Sequence, residues 1–413
     1  MRIHAAIIMA SILCSGCSAE RSADAIDTMA SQSKWASEAT RCEVSFETRR
    51  PSVSQSGPMA AVIYLKNLGA ERVGQEADTS IIESFLAVGK LVVVVDYANH
   101  PSARVPYLNR DIYKLRSDIH AKRFLSEYNI DMAHVFIVPE GCRIMRDVEF
   151  CRNGQRVLGM DIIYPSKPSR PIGAVLEFSC DNKDRMGMYS LVFCSDTILE
   201  AGASAGFAAA MADHPVAPPY KGLDPMPDCG YKVKAAIRVL RELGPKLGTN
   251  GRIGVAGFSR GSGMALLLAA TNGRDDFAGR GASPDVSSDV QAAVVMSGRF
   301  TYLDLLPTDA MIPRYEQAWG TCKEHEDVWR RHGAMDYMDK NTAPLFLTIN
   351  RTEAPEALHQ MRVLRKRLDD LGVKYTYAPE KEGRGHKMPL DEKVLGKMYA
   401  FLSEHLDKNR SAK

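Results

Sequence analysis

Short apolar runs alternate along the chain with longer stretches whose apolar residues recur every three or four positions. The runs are "AAVIYL" (60–65), "KLVVVVDYA" (90–98), "VFIV" (135–138), "IGAVLEFS" (172–179), "RIGVAGFS" (252–259), "AAVVMSG" (292–298), "PLFLTI" (344–349) and "KYTYAP" (374–379). Apolar runs rich in β-branched residues mark strands buried on both faces, as in parallel sheets. Between them, "TSIIESFLAVG" (79–89), "YKVKAAIRVLRELG" (231–244) and "PEALHQMRVLRKRLDDLG" (355–372) have helical spacing, and a last helix starts near Asp391. "TILEAGASAGFAAAMAD" (197–213) reads as a helix leading into a strand. Val233, Ile237, Leu240 and Leu243 share one helix face, with Gly244 at its end. The rhythm breaks once, at 144–165, where two strands flank Asn153-Gly154, a hairpin signal. The pattern predicts an α/β fold: a mostly parallel sheet with helices on both faces.

Composition narrows the class. The 413 residues are 45% hydrophobic and 25% charged, enough for a sizeable core, and the formal charge is +3. No basic block with interleaved aromatics appears, so nucleic acid is not an expected partner. Residues 1–17, "MRIHAAIIMASILCSGC", have a basic start, an apolar run from Ala5 to Leu13, and small residues before Cys17. That is a secretory signal by pattern, with an apolar run too short to span a bilayer. It also resembles a bacterial lipoprotein signal, which implies lipidation of Cys17 and a membrane anchor, although Cys14 stands where leucine is usual. An ordinary cleaved signal or an uncleaved anchor are the alternatives. Residues 18–58 are expected to form a flexible tether.

Nine cysteines are present, seven of them beyond the signal. No paired CxxC or HxxxH spacing occurs, so no metal site is expected. Cys142–Cys151 and Cys180–Cys194 are the nearest candidate disulfides, against the alternative of buried free thiols.

The chain also echoes itself. Residues 79–107 line up with 196–220: a helix passes through Gly into a strand ending in Asp, then His-Pro, then Pro-Tyr. Further on, "VFIVPEGCR" (135–143) falls where the second copy has "IGVAGFSRG" (253–261), so that Glu140 stands near the place that a serine holds in the second copy. Residues 59–140 are thus expected to be a small α/β domain without chemistry of its own, possessing either a common origin with the larger region or only the likeness all βαβ units share.

That serine is Ser259, in "GVAGFSRGSGMALLLAA" (254–270). A G-x-S-x-G between a strand and a helix makes a turn so tight that the serine hydroxyl stands clear of the sheet. Gly257 and Gly261 leave room for the close approach, and the following N–H, that of Arg260, faces the reacting carbonyl oxygen. A phosphate loop is the competing reading, but no G-x-x-x-x-G-K-[ST] is present.

From about residue 143 to 408 the chain resembles the α/β-hydrolase superfamily, nearest its esterase and acetyl-esterase branch. "VLGMDIIYPSKPSRPIGAVLEFS", "MADHPVAPP", "AMDYMDKNTAPLFLTI" and "LDDLGVKYTYAPEKEGRGH" carry the likeness in family order. It implies a serine nucleophile at Ser259 and a base at His386, behind the last strand; His214, His325, His332 and His359 compete only weakly. The acid departs from the usual His-Gly-x-x-Asp, because here the text is Ile349-Asn350-Arg351-Thr352-Glu353. Counting from Pro344 puts Glu353 at the acid's place, with Asp304 behind the sixth strand as the rival. Ser179 and Cys180 stand where the branch has His-Gly-Gly-Gly, and with Arg260 they are the candidate oxyanion donors. The segment 307–335 falls where these folds carry a cap.

The resemblance implies a cofactor-free serine carboxylic ester hydrolase working through an acyl-enzyme. Its substrate would be a small ester or an extracellular polysaccharide ester. A serine peptidase of the same fold and a non-catalytic surface lipoprotein stay open.

Overall fold

The computed structural model describes residues 33–37, 43–52, 57–68, 74–98, 108–178, 199–213, 225–274, 277, 281–379, 385–388 and 391–407. The signal region with Cys17, the elements Ser179 and Cys180, and the Cys180–Cys194 pairing lie outside them. No helix among the described residues is long and apolar enough to cross a membrane.

Two sheets form. The first has five strands, in the order β1-β2-β4-β3-β5, from β1 (Ser33–Ala36), β2 (Glu43–Arg49), β3 (Met59–Lys66), β4 (Leu91–Asp96) and β5 (Ile130–Pro139). β3 pairs in parallel with β4 and β5, through the crossover helices α1 (Asp78–Ala87) and α2 (Leu108–His120). β1 and β2 add an antiparallel edge beside β4. This corrects the expected tether: residues 33–49 contribute two strands. Trp35 and Val44 are buried, with exposed neighbours on either side, which is the alternation of a half-buried edge. So sparse an alternation in a polar stretch carries little weight in a sequence.

The second sheet has eight strands in the order β13-β12-β11-β10-β8-β9-β7-β6. β6 (Cys142–Asn153) and β7 (Arg156–Pro165) are the expected hairpin. β8 (Ile172–Phe178), β9 (Ala208–Ala212), β10 (Thr249–Phe258), β11 (Ala292–Met296), β12 (Leu345–Thr348) and β13 (Tyr375–Tyr377) are parallel. The helices of this half are α3 (Leu199–Ser204), α4 (Pro225–Glu242), α5 (Gly244–Leu247), α6 (Arg260–Ala270), α7 (Ile312–Trp319), α8 (Glu326–His332), α9 (Pro355–Leu371) and α10 (Glu392–Leu406). One face of the sheet packs Val233, Ile237 and Leu240 of α4 with Leu266 of α6 and Leu364 of α9. The other packs Leu395, Met398 and Leu402 of α10. Asp391 caps α10 by accepting the Val394 N–H at 2.8 Å.

The halves share a core. Val62, Tyr64, Ile81 and Phe85 from the first pack with Ile163, Leu199, Ala209 and Met211 from the second. At its rim Arg143 of β6 donates to Glu76 from Nε (2.8 Å) and Nη2 (2.5 Å), and the Ser166 hydroxyl also donates to Glu76. Cys142 and Cys151 are not bonded to each other, which corrects the candidate disulfide. Both lie on β6, and nine residues of strand span about 30 Å.

Candidate active site

The site is assembled at the C-terminal edge of the second sheet. β10 runs between β8 and β11, so its last residue is delivered to the middle of that edge. The turn that follows is strained: Ser259 has φ 55° and ψ −116°. Its N–H donates to Met296 O on β11 at 3.0 Å, which ties the turn to the next strand. Gly257 is there because a Cβ would lie 2.0 Å from the Gly261 carbonyl oxygen. Gly298, after β11, is equally crowded, since a Cβ would meet Ser259 O at 2.7 Å. Arg260 opens α6, so its N–H belongs to the first turn, where amides point along the axis and favour negative charge.

His386 Nε2 is 3.0 Å from Ser259 Oγ, and its Nδ1 is 2.9 Å from Glu353 Oε2. The imidazole side chain is half exposed and packs against the Phe258 ring, with centroids 4.9 Å apart. Glu353 follows β12 and is buried. Burial pushes its carboxyl pKa up. Hydrogen bonds from His386, the Ser297 hydroxyl and the Ala354 N–H outweigh that, and the net shift is downward. The Ser297 bond to Oε2 is 2.6 Å and the Ala354 bond to Oε1 is 3.0 Å. A carboxylate held on Nδ1 leaves Nε2 as the face that accepts the serine proton.

Of the sequence candidates, the structure therefore brings together Ser259, His386 and Glu353, with Gly257, Gly261 and Arg260 around the turn. It does not bring in Asp304, whose exposed carboxylate is bonded to His359 Nε2 at 2.9 Å. β8 leaves the sheet with Phe178 in register with Gly257 of β10, and Ser179 and Cys180 come next, outside the described residues.

Known proteins share the fold that carries this site. A truncated form of a carbohydrate esterase from gut microbiota superposes with a TM-score of 0.55 at 20% identity, covering 64% of this chain and 97% of its own. A bifunctional GH43-CE protein of Bacteroides eggerthii superposes with a TM-score of 0.54 at 21% identity, covering 63% of this chain and 38% of its own. The BD-FAE family model matches residues 179–368, a span that holds the elbow and Glu353 and ends before His386. The chain has the α/β-hydrolase fold, and the family model spans just under half of it. No curated protein matches it in sequence.

The site opens into a cavity of about 440 Å³. Ser259 and His386 line it together with Tyr302, Tyr315, Trp319 and Arg299. The segment 307–335 forms the far wall through α7 and α8. Its aromatic residues divide the work. The Tyr315 and Trp319 rings are stacked, with centroids 4.9 Å apart and planes 5° apart, and Trp319 is stacked in turn on His332 at 3.9 Å. All three line the cavity, whereas Trp329 is buried beneath them and donates to Gly320 O at 2.9 Å. Arg299 is fixed on Asp309 by two bonds of 2.8 and 2.7 Å.

Sequence reasoning had no hold on four of these groups. Ser297 and Gly298 look like an ordinary strand end, and Arg299 and Tyr302 like a loop. Only the position of Ser297-Gly298 directly behind an apolar strand beside the elbow strand is a usable signal.

Proposed function

We propose that this hydrolase cleaves carboxylic esters of an extracellular carbohydrate through an acyl-enzyme on Ser259. The observation that carries the reading is the unbroken hydrogen-bonded series Glu353–His386–Ser259 opening into a cavity. Ser259 Oγ attacks the acyl carbon while His386 Nε2 takes its proton. Glu353 holds Nδ1–H, fixing the tautomer and stabilising the imidazolium. The Arg260 N–H donates to the oxyanion. As the C–O bond breaks, His386 gives its proton to the departing sugar oxygen. Water then enters, loses a proton to the same nitrogen and attacks the acyl carbon; the acyl C–Oγ bond breaks, His386 returns the proton to Ser259 Oγ, and the carboxylic acid leaves.

The carbohydrate assignment rests on the kinship with the carbohydrate esterase and GH43-CE structures and on the export signal. Export and lipidation at Cys17 complete the proposal: the enzyme sits on a membrane surface, facing polymers that do not enter the cell.

The test is a fluorophosphonate followed by intact-mass spectrometry, then a panel of acetylated and hydroxycinnamoylated sugars set against simple esters and proline amides. One adduct on Ser259 with turnover of the sugar esters is expected. An adduct elsewhere, or turnover of the amides alone, overturns the reading. Metabolic labelling with palmitate, abolished in Cys17→Ser, checks the anchor.

A further inference from the structure

Three residues within one four-residue stretch after β12 behave as a template for the histidine loop. Asn350 is fully buried, and its Nδ2 donates to Gly385 O and to Lys387 O, both at 2.7 Å. These two carbonyls flank His386. They also belong to one tight turn, because the Lys387 N–H donates to Gly385 O at 2.9 Å, which puts His386 at the apex. Thr352 Oγ1 accepts the Gly385 N–H at 3.0 Å. Glu353, one residue on, takes the imidazole itself. Two carbonyl oxygens can be addressed together only by an amide NH₂, so the carboxamide orientation follows from its partners. Its Oδ1 is buried with no hydrogen-bond partner among the described residues. A group that leaves its acceptor unsatisfied while using both donors is held there for the donors.

We propose that Asn350 is a positioning residue for His386: its carboxamide staples the apex turn so that the imidazole stands between Glu353 and Ser259. The need is visible in the site. The His386 side chain is half exposed, with the Phe258 ring as its apolar support. Asn350 occupies the place of glycine in the His-Gly-x-x-Asp pattern, where no side chain could reach across. In this chain the turn supplying the acid also fixes the height and tilt of the base. The inference rests on His386 being the base.

The experiment measures Asn350→Ala on 4-nitrophenyl acetate, with kcat expressed per site titrated by a fluorophosphonate. A displacement of the imidazole by about 1 Å lowers kcat roughly 100-fold, with KM within a few-fold of the parent. In a Glu353→Gln background the same change costs less than about tenfold, since both residues act through one imidazole. A residue that merely held the fold would lower the titratable fraction and the melting temperature and leave kcat per titrated site unchanged. That result, or additive losses in the double variant, overturns the proposal. If Asn350→Ala does not fold, Thr352→Val at the exposed end of the template decides: a several-fold loss of kcat supports the template, and unchanged kcat overturns it. His386→Ala separates the two levels. If it retains activity, the reading of the base is wrong; if it is inactive while Asn350→Ala is unaffected, only the staple is.

Discussion

Both sheets carry a parallel strand from a βαβ unit to their C-terminal edge, and there the two halves part. In the larger sheet β10 ends at Phe258, and the chain turns through Ser259 directly into α6. In the smaller sheet β5 ends at Pro139, and the chain passes through Glu140 and Gly141 into β6 of the other sheet. The carboxylate of Glu140 accepts the Asn67 N–H at 2.6 Å, closing its own sheet edge. The strands are alike. What differs is the turn: a strand that enters a helix gains a row of first-turn amides and an exposed apex, and a strand that enters a hairpin gains neither. Chemistry in this fold therefore follows the connection rather than the sheet.

Ser259→Ala is the sharpest way to break the comparison. It is expected to lower kcat about 10⁶-fold, while Glu140→Gln leaves kcat within about threefold; steady-state assays on a common ester measure both. A large loss from Glu140→Gln with an unchanged melting profile would move the chemistry into the smaller half. Next in size is the acid: Glu353→Gln should lower kcat by about 10²–10⁴-fold, whereas Asp304→Asn stays near the parent, because its carboxylate serves His359.

The smallest effect tests how the halves are joined. Bonds from Arg143 and Ser166 hold the Glu76 carboxyl far below the usual carboxylate range against a smaller desolvation effect. A depressed carboxyl contributes stability above its unfolded pKa, near 4.3, and loses it as pH falls through the lower folded value. Glu76→Gln should thus lower Tm by about 2–4 °C at pH 7, with kcat unchanged. The gap to the parent should shrink as the pH is taken down through the acidic range, which a series of thermal melts will show.

The parts of this arrangement that sequence could reveal are those set by local rules. Buried parallel strands announce themselves as apolar runs, and the elbow as glycines around a serine between a strand and a helix. Glu353 was found by counting from a strand, since the register of β12 fixes where its following turn points. Asp304 could be separated from it only in three dimensions, because each follows a strand of the same edge. β1 and β2 escaped because an edge strand needs only one buried residue in two, and Trp35 and Val44 sit among polar neighbours. In the sequence Asn350 stands out only as a departure from a pattern. Its partners lie 35 and 37 residues away, and no local rule pairs a buried amide with the carbonyls of another loop. The aromatic wall was placed by its position in the chain, but its division into cavity lining and support depends on stacking that spacing does not encode.

The apolar surface common to the two halves also has a bearing on how the protein is made. The ribosome releases the smaller sheet first, with Val62, Ile81, Ile82 and Phe85 facing outward. Their complement, Leu199 to Met211, is built some 60 residues after β5 is complete, a delay of about 3–12 s at ordinary rates of synthesis. For that interval the nascent chain displays a sticky face that Ile163 covers only in part. Chaperone demand, and the yield of soluble protein from any truncation between the two sheets, are set by that interval rather than by the stability of either half.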